Sequence, residues 1–202
     1  MAAFEASDRD APRAPGGVLF LGASNVRMWD TLADDFPGLD VVNRGIGGCR
    51  LSELADFAPR LARGVKPALI VVSAGSNDIH AGATPEDVAA AFHRLHDDLR
   101  RDLPGVPILC LAILPAGSRW EERASQVRAN ELLAAAAAEA NRPDAVVEFH
   151  EVGKGFLGPD GRPDPEAFLD DELHPSALGN ARRAAALRPV LDRLLAAVAK
   201  PA

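Results

Sequence analysis

The sequence predicts an α/β fold of three layers, α/β/α, on a five-stranded parallel sheet in the order 2-1-3-4-5. Three observations carry this. Five short aliphatic segments lack the strict apolar–polar alternation of a half-exposed strand and read as strands covered on both faces. Helical periodicities separate them, and strand–helix alternation implies parallel pairing. The 202 residues, 48% hydrophobic and 25% charged, suit one globular domain.

The elements follow in order. The strands are Gly17–Leu21, Leu39–Asn43, Ala68–Ser73, Val106–Ile113 and Asp144–Phe149. A helix over Asn25–Asp35 has Val26, Trp29, Leu32 and Ala33 at helical spacing. A second, Leu51–Ala62, repeats the pattern with Leu51, Leu54, Ala55, Ala58 and Leu61. Pro85–Arg101 has start signals: Thr84 as N-cap, Pro85 at N1 and Asp87 at N3. An Ala- and Glu-rich helix spans Trp120–Ala140, and a last one spans Ser176–Ala199. Right-handed crossovers reduce the topologies, and the flavodoxin-like order is the one chosen. Residues 1–16 read as a disordered leader, and 17–202 as the single domain. The leader holds no apolar stretch of the secretory kind, so a cytoplasmic location is expected.

Composition excludes some partners. The net charge of −7 disfavours nucleic acid and anionic membrane surfaces. Tyr is absent, which leaves little for base stacking. The apolar runs are too short for stable membrane insertion. Two cysteines, Cys49 and Cys110, are too few for a disulfide scaffold. His93 and His96 are three apart on one helix, but no third ligand at suitable spacing is evident. No metal and no cofactor are expected.

Ligands of such sheets bind beyond the carboxyl ends of the strands, so those positions are read for chemistry. After strand 1, Gly22-Ala23-Ser24-Asn25 turns into a helix with Ser24 at its start; Ser24 is either an N-cap or a nucleophile. After strand 2, Gly45-Ile46-Gly47-Gly48 can present bare N–H groups or simply make a tight turn. After strand 3, Gly75-Ser76-Asn77-Asp78 offers the Asn77 side-chain donor, or an Asx turn; Asp78 supports the turn. Before the last helix, Asp171-Glu172-Leu173-His174 lets a carboxylate reach back to its own His, or caps a helix beside a surface His. Jointly these supply nucleophile, orienter and base, with Ser24, Gly48 and Asn77 as oxyanion donors.

These four blocks resemble the SGNH hydrolase superfamily, also called GDSL-type lipases and esterases. FLGASN resembles its nucleophile block, NRGIGG its glycine block, GSND its Asn block and DELHP its Asp–His block. Arg27, Trp29 and Ser118-Arg119-Trp120 are similar to a subgroup labelled lipase/acylhydrolase, with platelet-activating-factor acetylhydrolase-like relatives. Ala23 replaces the usual Asp of the nucleophile block, which questions how that turn is supported. The resemblance implies the SGNH hydrolase fold, metal-free hydrolysis of a small-molecule ester, and a homodimer as a family-level expectation. Cys49, Ile79, His80, Pro115, Trp120 and Leu173 flank the motifs as candidate pocket residues. Short loops with one large side chain favour a short acyl group such as acetyl. Arg44, Arg50 and Arg119 are either contacts for an anionic substrate or, as surface arginines usually are, aids to solubility. The rivals are a non-catalytic carbohydrate-binding module and an acyltransferase using the same site.

Overall fold

A computed structural model describes residues 2–199; Met1 and residues 200–202, which the leader and domain expectations include, lie outside the described residues. The strands are β1 (Val18–Gly22), β2 (Val41–Gly45), β3 (Leu69–Ser73), β4 (Ile108–Leu111) and β5 (Val147–His150). All pair in parallel, in the order β2-β1-β3-β4-β5. Strand β1, paired on both sides, shows why alternation is missing from the sequence. Leu19 and Leu21 enter one core, while Val18 and Phe20 enter the other. Both faces of the sheet are covered, so every position is apolar.

The α-helices are α1 (Ala2–Asp10), α2 (Ser24–Arg27), α3 (Leu32–Asp35), α4 (Leu51–Arg63), α5 (Ser76–His80), α6 (Pro85–Asp102), α7 (Arg123–Ala140) and α8 (Ala177–Val198). The first core receives α4, α6 and α7, and the second receives α2, α3 and α8. The start of α6 has the expected capping box. Thr84 Oγ1 accepts from the Asp87 N–H at 3.1 Å, and Asp87 Oδ2 accepts from the Thr84 N–H at 2.9 Å. Among the described residues no helix is long and apolar enough to cross a membrane, and no three His, Cys, Asp or Glu side chains converge to hold a metal.

Besides β4, shorter than expected at both ends, and β5, which starts at Val147 rather than Asp144, the structure differs from the sequence reading at five elements. The helix expected over Asn25–Asp35 is two short ones, α2 and α3. The break lets the Trp29 ring enter the core against Phe20 and Phe36, each at a centroid distance of 5.6–5.7 Å from its neighbours. Its indole N–H donates to Asp35 Oδ2 at 2.6 Å. The buried Arg183 guanidinium of α8 lies 3.8 Å from the Trp29 ring on another side. Strand 2 runs two residues later than expected, because Arg44 and Gly45 continue the ladder beside Leu21 and Gly22. Helix α7 starts at Arg123 rather than Trp120, preceded by a 3-10 turn over Gly117–Glu122. Residues after β3 form the short α5 instead of an isolated turn.

The fifth difference is the leader. Ala2–Asp10 is helical rather than disordered. Phe4 packs against the first core and under the Arg44 guanidinium, 4.6 Å from the ring centroid. Asp8 pairs with Arg44, and Glu5 with Arg60 at 2.7 Å. Helix α1 is thus held by β2 and α4, not by its own apolar stripe.

Candidate active site

The turn after β1 is built by close backbone approach. A Cβ on Gly22 would collide with the Ser73 carbonyl, and one on Gly45 with the backbone of Arg27. Only glycine allows α2 to sit this near the sheet edge. Ser24 occupies the first position of α2. The Ala23 N–H donates to the Ser73 carbonyl at 3.2 Å, and the Asn25 amide to Ser73 Oγ at 3.0 Å. Arg183 donates to the Asn25 carbonyl at 3.0 Å. These bonds to β3 and α8 support the turn in which Ala23 stands.

The segment before α8 folds back over this turn. The Leu169 N–H donates to the His174 carbonyl at 2.8 Å, and Ser176 caps α8 by accepting from the Gly179 N–H at 3.1 Å. Within the segment, Asp171 Oδ1 accepts from the N–H groups of Leu173 and His174, both at 2.9 Å. Its Oδ2 stands 2.6 Å from His174 Nδ1. Partial burial works to raise the Asp171 pKa, but the hydrogen bonds from His174 and the two backbone N–H groups outweigh it and hold the carboxyl at about 2. Asp171 is therefore ionised at neutral pH, and His174 carries its proton on Nδ1. The other ring nitrogen, Nε2, stands 2.8 Å from Ser24 Oγ. Residues 150 positions apart in the chain thus meet in one Asp–His–Ser line.

Beside Ser24 lies a cavity of about 40 Å3. Ser24, Asn77, Arg119 and His174 border it with polar atoms, and Ala74, Ala112, Ile113, Leu114, Ala116 and Leu173 supply apolar wall. Asn77 sits on α5, after Gly75, whose φ of +116° requires glycine. Its Nδ2 donates to the Cys49 carbonyl at 2.9 Å, tying α5 to the loop after β2. Neighbouring Asp78 is buried and caps α4, accepting from the Leu51 and Ser52 N–H groups at 2.6 and 3.1 Å. Asp78, expected to support its own turn, instead ties α5 to the start of α4. The Ser24 and Gly48 N–H groups have no acceptor among the described residues. Gly48 is exposed, with φ +72°, on the loop whose next carbonyl Asn77 holds; it does not form part of the cavity wall.

Of the six expected pocket residues, only Leu173 lines this cavity. Cys49 is buried in the first core with Ile79. Burial first, then Glu53 and Asp78, push its thiol up to about 11, so it stays protonated. His80 faces away, its Nδ1 at 2.6 Å from Glu122. Pro115 lies toward Gly153. Trp120 borders a different cleft, with the Arg162 guanidinium 5.3 Å from its ring. The wall of this cavity comes from the ends of β3 and β4: Ser73 and Ala74, then Ala112, Ile113, Leu114 and Ala116. The rule that ligands sit beyond strand ends, applied to strand 4 as to the others, would have found the second group. Asn130 holds that segment in place, donating to the Ile113 carbonyl at 3.3 Å and accepting from its N–H at 2.8 Å. Of the three arginines read as anion contacts or solubilising charges, Arg119 borders the cavity, Arg44 is engaged with Asp8, and Arg50 pairs with Glu53 at 2.7 Å.

Residues 16–182 match the model of the GDSL-like lipase/acylhydrolase family. No curated protein matches the chain. Solved structures share the fold. A Streptococcus pneumonia protein provisionally called a platelet activating factor superposes with a TM-score of 0.82 at 20% identity, covering 94% of this chain and 90% of its own. A GDSL-like lipase from Bacteroides thetaiotaomicron gives 0.76 at 18% identity, covering 95% and 97%. An acetyl esterase mutant solved with acetate ion gives 0.73 at 16% identity, covering 91% and 100%. With five parallel strands in the order 2-1-3-4-5 and a family match over most of its length, the chain belongs to the GDSL-like lipase/acylhydrolase family and is a carboxylic ester hydrolase.

Proposed function

We propose that the protein hydrolyses short-chain carboxylic esters, acetyl esters above all, through an acyl intermediate on Ser24. The Asp171–His174–Ser24 hydrogen-bond line carries this reading. His174 Nε2 takes the hydroxyl proton as Ser24 Oγ attacks the ester carbonyl. Asp171 holds the imidazole in the tautomer that leaves Nε2 free and stabilises the imidazolium that forms. The carbonyl oxygen, now negative, lies against the Ser24 N–H and the second hydrogen of Asn77 Nδ2, with the Gly48 N–H as third donor from the adjoining loop. His174 then gives its proton to the leaving alcohol. Water, deprotonated by the same nitrogen, cleaves the acyl–Ser24 bond and releases the acid.

The cavity sets the acyl length. One water needs roughly 10–15 Å3 of such volume, so about 40 Å3 holds about three. Three non-hydrogen atoms are an acetyl group. An intact Asp–His–Ser line also favours catalysis over the carbohydrate-binding alternative, which needs none of the three.

A fluorophosphonate probe tests the nucleophile. Peptide mapping should place the label on Ser24, and His174→Ala should slow labelling by orders of magnitude. Label elsewhere, or none, would contradict the proposal. Release of free acetate from an acetyl ester, undiminished by added alcohol, separates hydrolysis from acyl transfer through the same intermediate.

A further inference from the structure

Asn77 has to present an N–H, not an oxygen, to the cavity, and a carboxamide can be turned either way round. Two neighbours decide. The Cys49 carbonyl can only accept, and it stands 2.9 Å from Nδ2. A guanidinium can only donate, and Arg119 Nη2 stands 2.9 Å from Oδ1. Turning the amide over would set donor against donor and acceptor against acceptor. One Nδ2 hydrogen is spent on Cys49, which leaves the other for the site. Arg119 is itself fixed. Its Nη1 donates to Ser76 Oγ at 2.8 Å, so one planar fork spans consecutive residues of α5. Its carbonyl faces the buried Gln126 amide at 3.5 Å, and Glu122 of the same 3-10 turn grips His80 at the far end of α5. The turn over Gly117–Glu122 therefore clamps α5 at Ser76, Asn77 and His80. It is tied to the His174 segment as well: Ser118 donates to the Glu172 carbonyl from its N–H at 3.2 Å and its hydroxyl at 3.3 Å.

We infer that Arg119 is a positioning residue of the ester hydrolase: its bidentate grip on Ser76 and Asn77 locks the Asn77 carboxamide with an N–H toward the developing oxyanion. The inference rests on the donor role proposed for Asn77. Arg119 also borders the cavity, but in this role its two terminal nitrogens are engaged by Ser76 and Asn77. It acts through Asn77, so its loss should lower kcat and leave KM nearly unchanged, because the interaction matters only once charge develops. Arg119 also places a positive charge behind the Asn77 amide, which polarises the N–H further.

A double-mutant cycle on p-nitrophenyl acetate tests this, with thermal melting to verify folding. Asn77→Ala should lose about 10²–10³ of kcat. Arg119→Ala should lose roughly tenfold to a hundredfold in kcat. The double variant should be no slower than Asn77→Ala alone, since an orienter has nothing left to orient. Arg119→Lys keeps bulk and charge but not the fork, and should remain well below wild type; it also serves if Arg119→Ala does not fold. Multiplying losses in the double variant, a change confined to KM, or full kcat in Arg119→Lys would each overturn the inference while leaving Asn77 as a donor. Full kcat in Asn77→Ala would overturn the donor role and the inference with it, whereas the Ser24 nucleophile is tested separately by labelling.

Discussion

Asp171 divides its oxygens between two tasks: Oδ1 organises the backbone of its own turn, and Oδ2 orients His174. Asp171→Asn should separate them. The amide oxygen can still accept from Leu173 and His174, so the turn survives, but the amide nitrogen now donates toward Nδ1 and selects the wrong tautomer. kcat should fall by roughly 10²–10⁴ with the melting temperature little changed; unchanged kcat would remove Asp171 from the proposed mechanism. The pH dependence follows in sign. A carboxyl held at about 2 in the fold, below its ordinary ~3.9, adds stability that is fully present above about pH 4 and is lost as pH falls through about 2. Loss of activity well above pH 4 is thus not protonation of Asp171. This scale was the most legible in the sequence. Asp171 and His174 are three residues apart, and Ser24, Gly48 and Asn77 each lie in the turn that follows a strand, so spacing alone brought them to one edge. Arg119 and Ile113 owe their places to tertiary contacts across 42 and 17 residues, which spacing does not encode.

At the scale of elements, the glycine that ends β2 illustrates how one fold contact serves the site. Gly45 lets the strand end lie against Arg27, the last residue of the helix that begins with Ser24. Gly45→Ala should push α2 away, cost about 1–3 kcal/mol by overpacking, and lower kcat through the displaced Ser24. Chemical denaturation and kinetics on the same variant check both; an alanine with wild-type stability and rate would mean the approach is not tight. Helix boundaries were legible where the signal is local, as at Thr84-Pro85-Glu86-Asp87. They failed where a side chain needed the core more than its helix: Trp29 breaks the expected Asn25–Asp35 helix to reach Phe20, Phe36 and Arg183. Helix α1 failed for the opposite reason. It buries no residue of its own, so its sequence shows no core stripe, and it is ordered by ion pairs to residues far along the chain. The Asp8 and Arg44 side chains are 13% and 8% exposed, so Asp8→Ala strands a buried charge. The expected cost is about 3 kcal/mol, a fall of roughly 6–12 °C in Tm. A shift within one degree would show that α1 is not coupled to β2.

Across the whole molecule, topology is what makes the chemistry local. The order 2-1-3-4-5 sets β1 between β2 and β3, so Ser24, Gly48 and Asn77 emerge from three adjacent strands. The segment before α8 returns His174 over them on the same edge. The alternation of strands and helices was enough to foresee that arrangement. The size of the cavity was not, because its wall is set by how closely β3 and β4 end beside α7. That small cavity fixes the expected selectivity, and the most direct test combines it with the nucleophile. Hydrolysis of p-nitrophenyl acetate, butyrate and octanoate should be measured beside Ser24→Ala. Rates should fall steeply from acetate to octanoate, with near-background rates for the variant on every ester. Wild-type rates in Ser24→Ala would contradict the Ser24 nucleophile outright, and a preference for octanoate would contradict the acyl cavity assigned here.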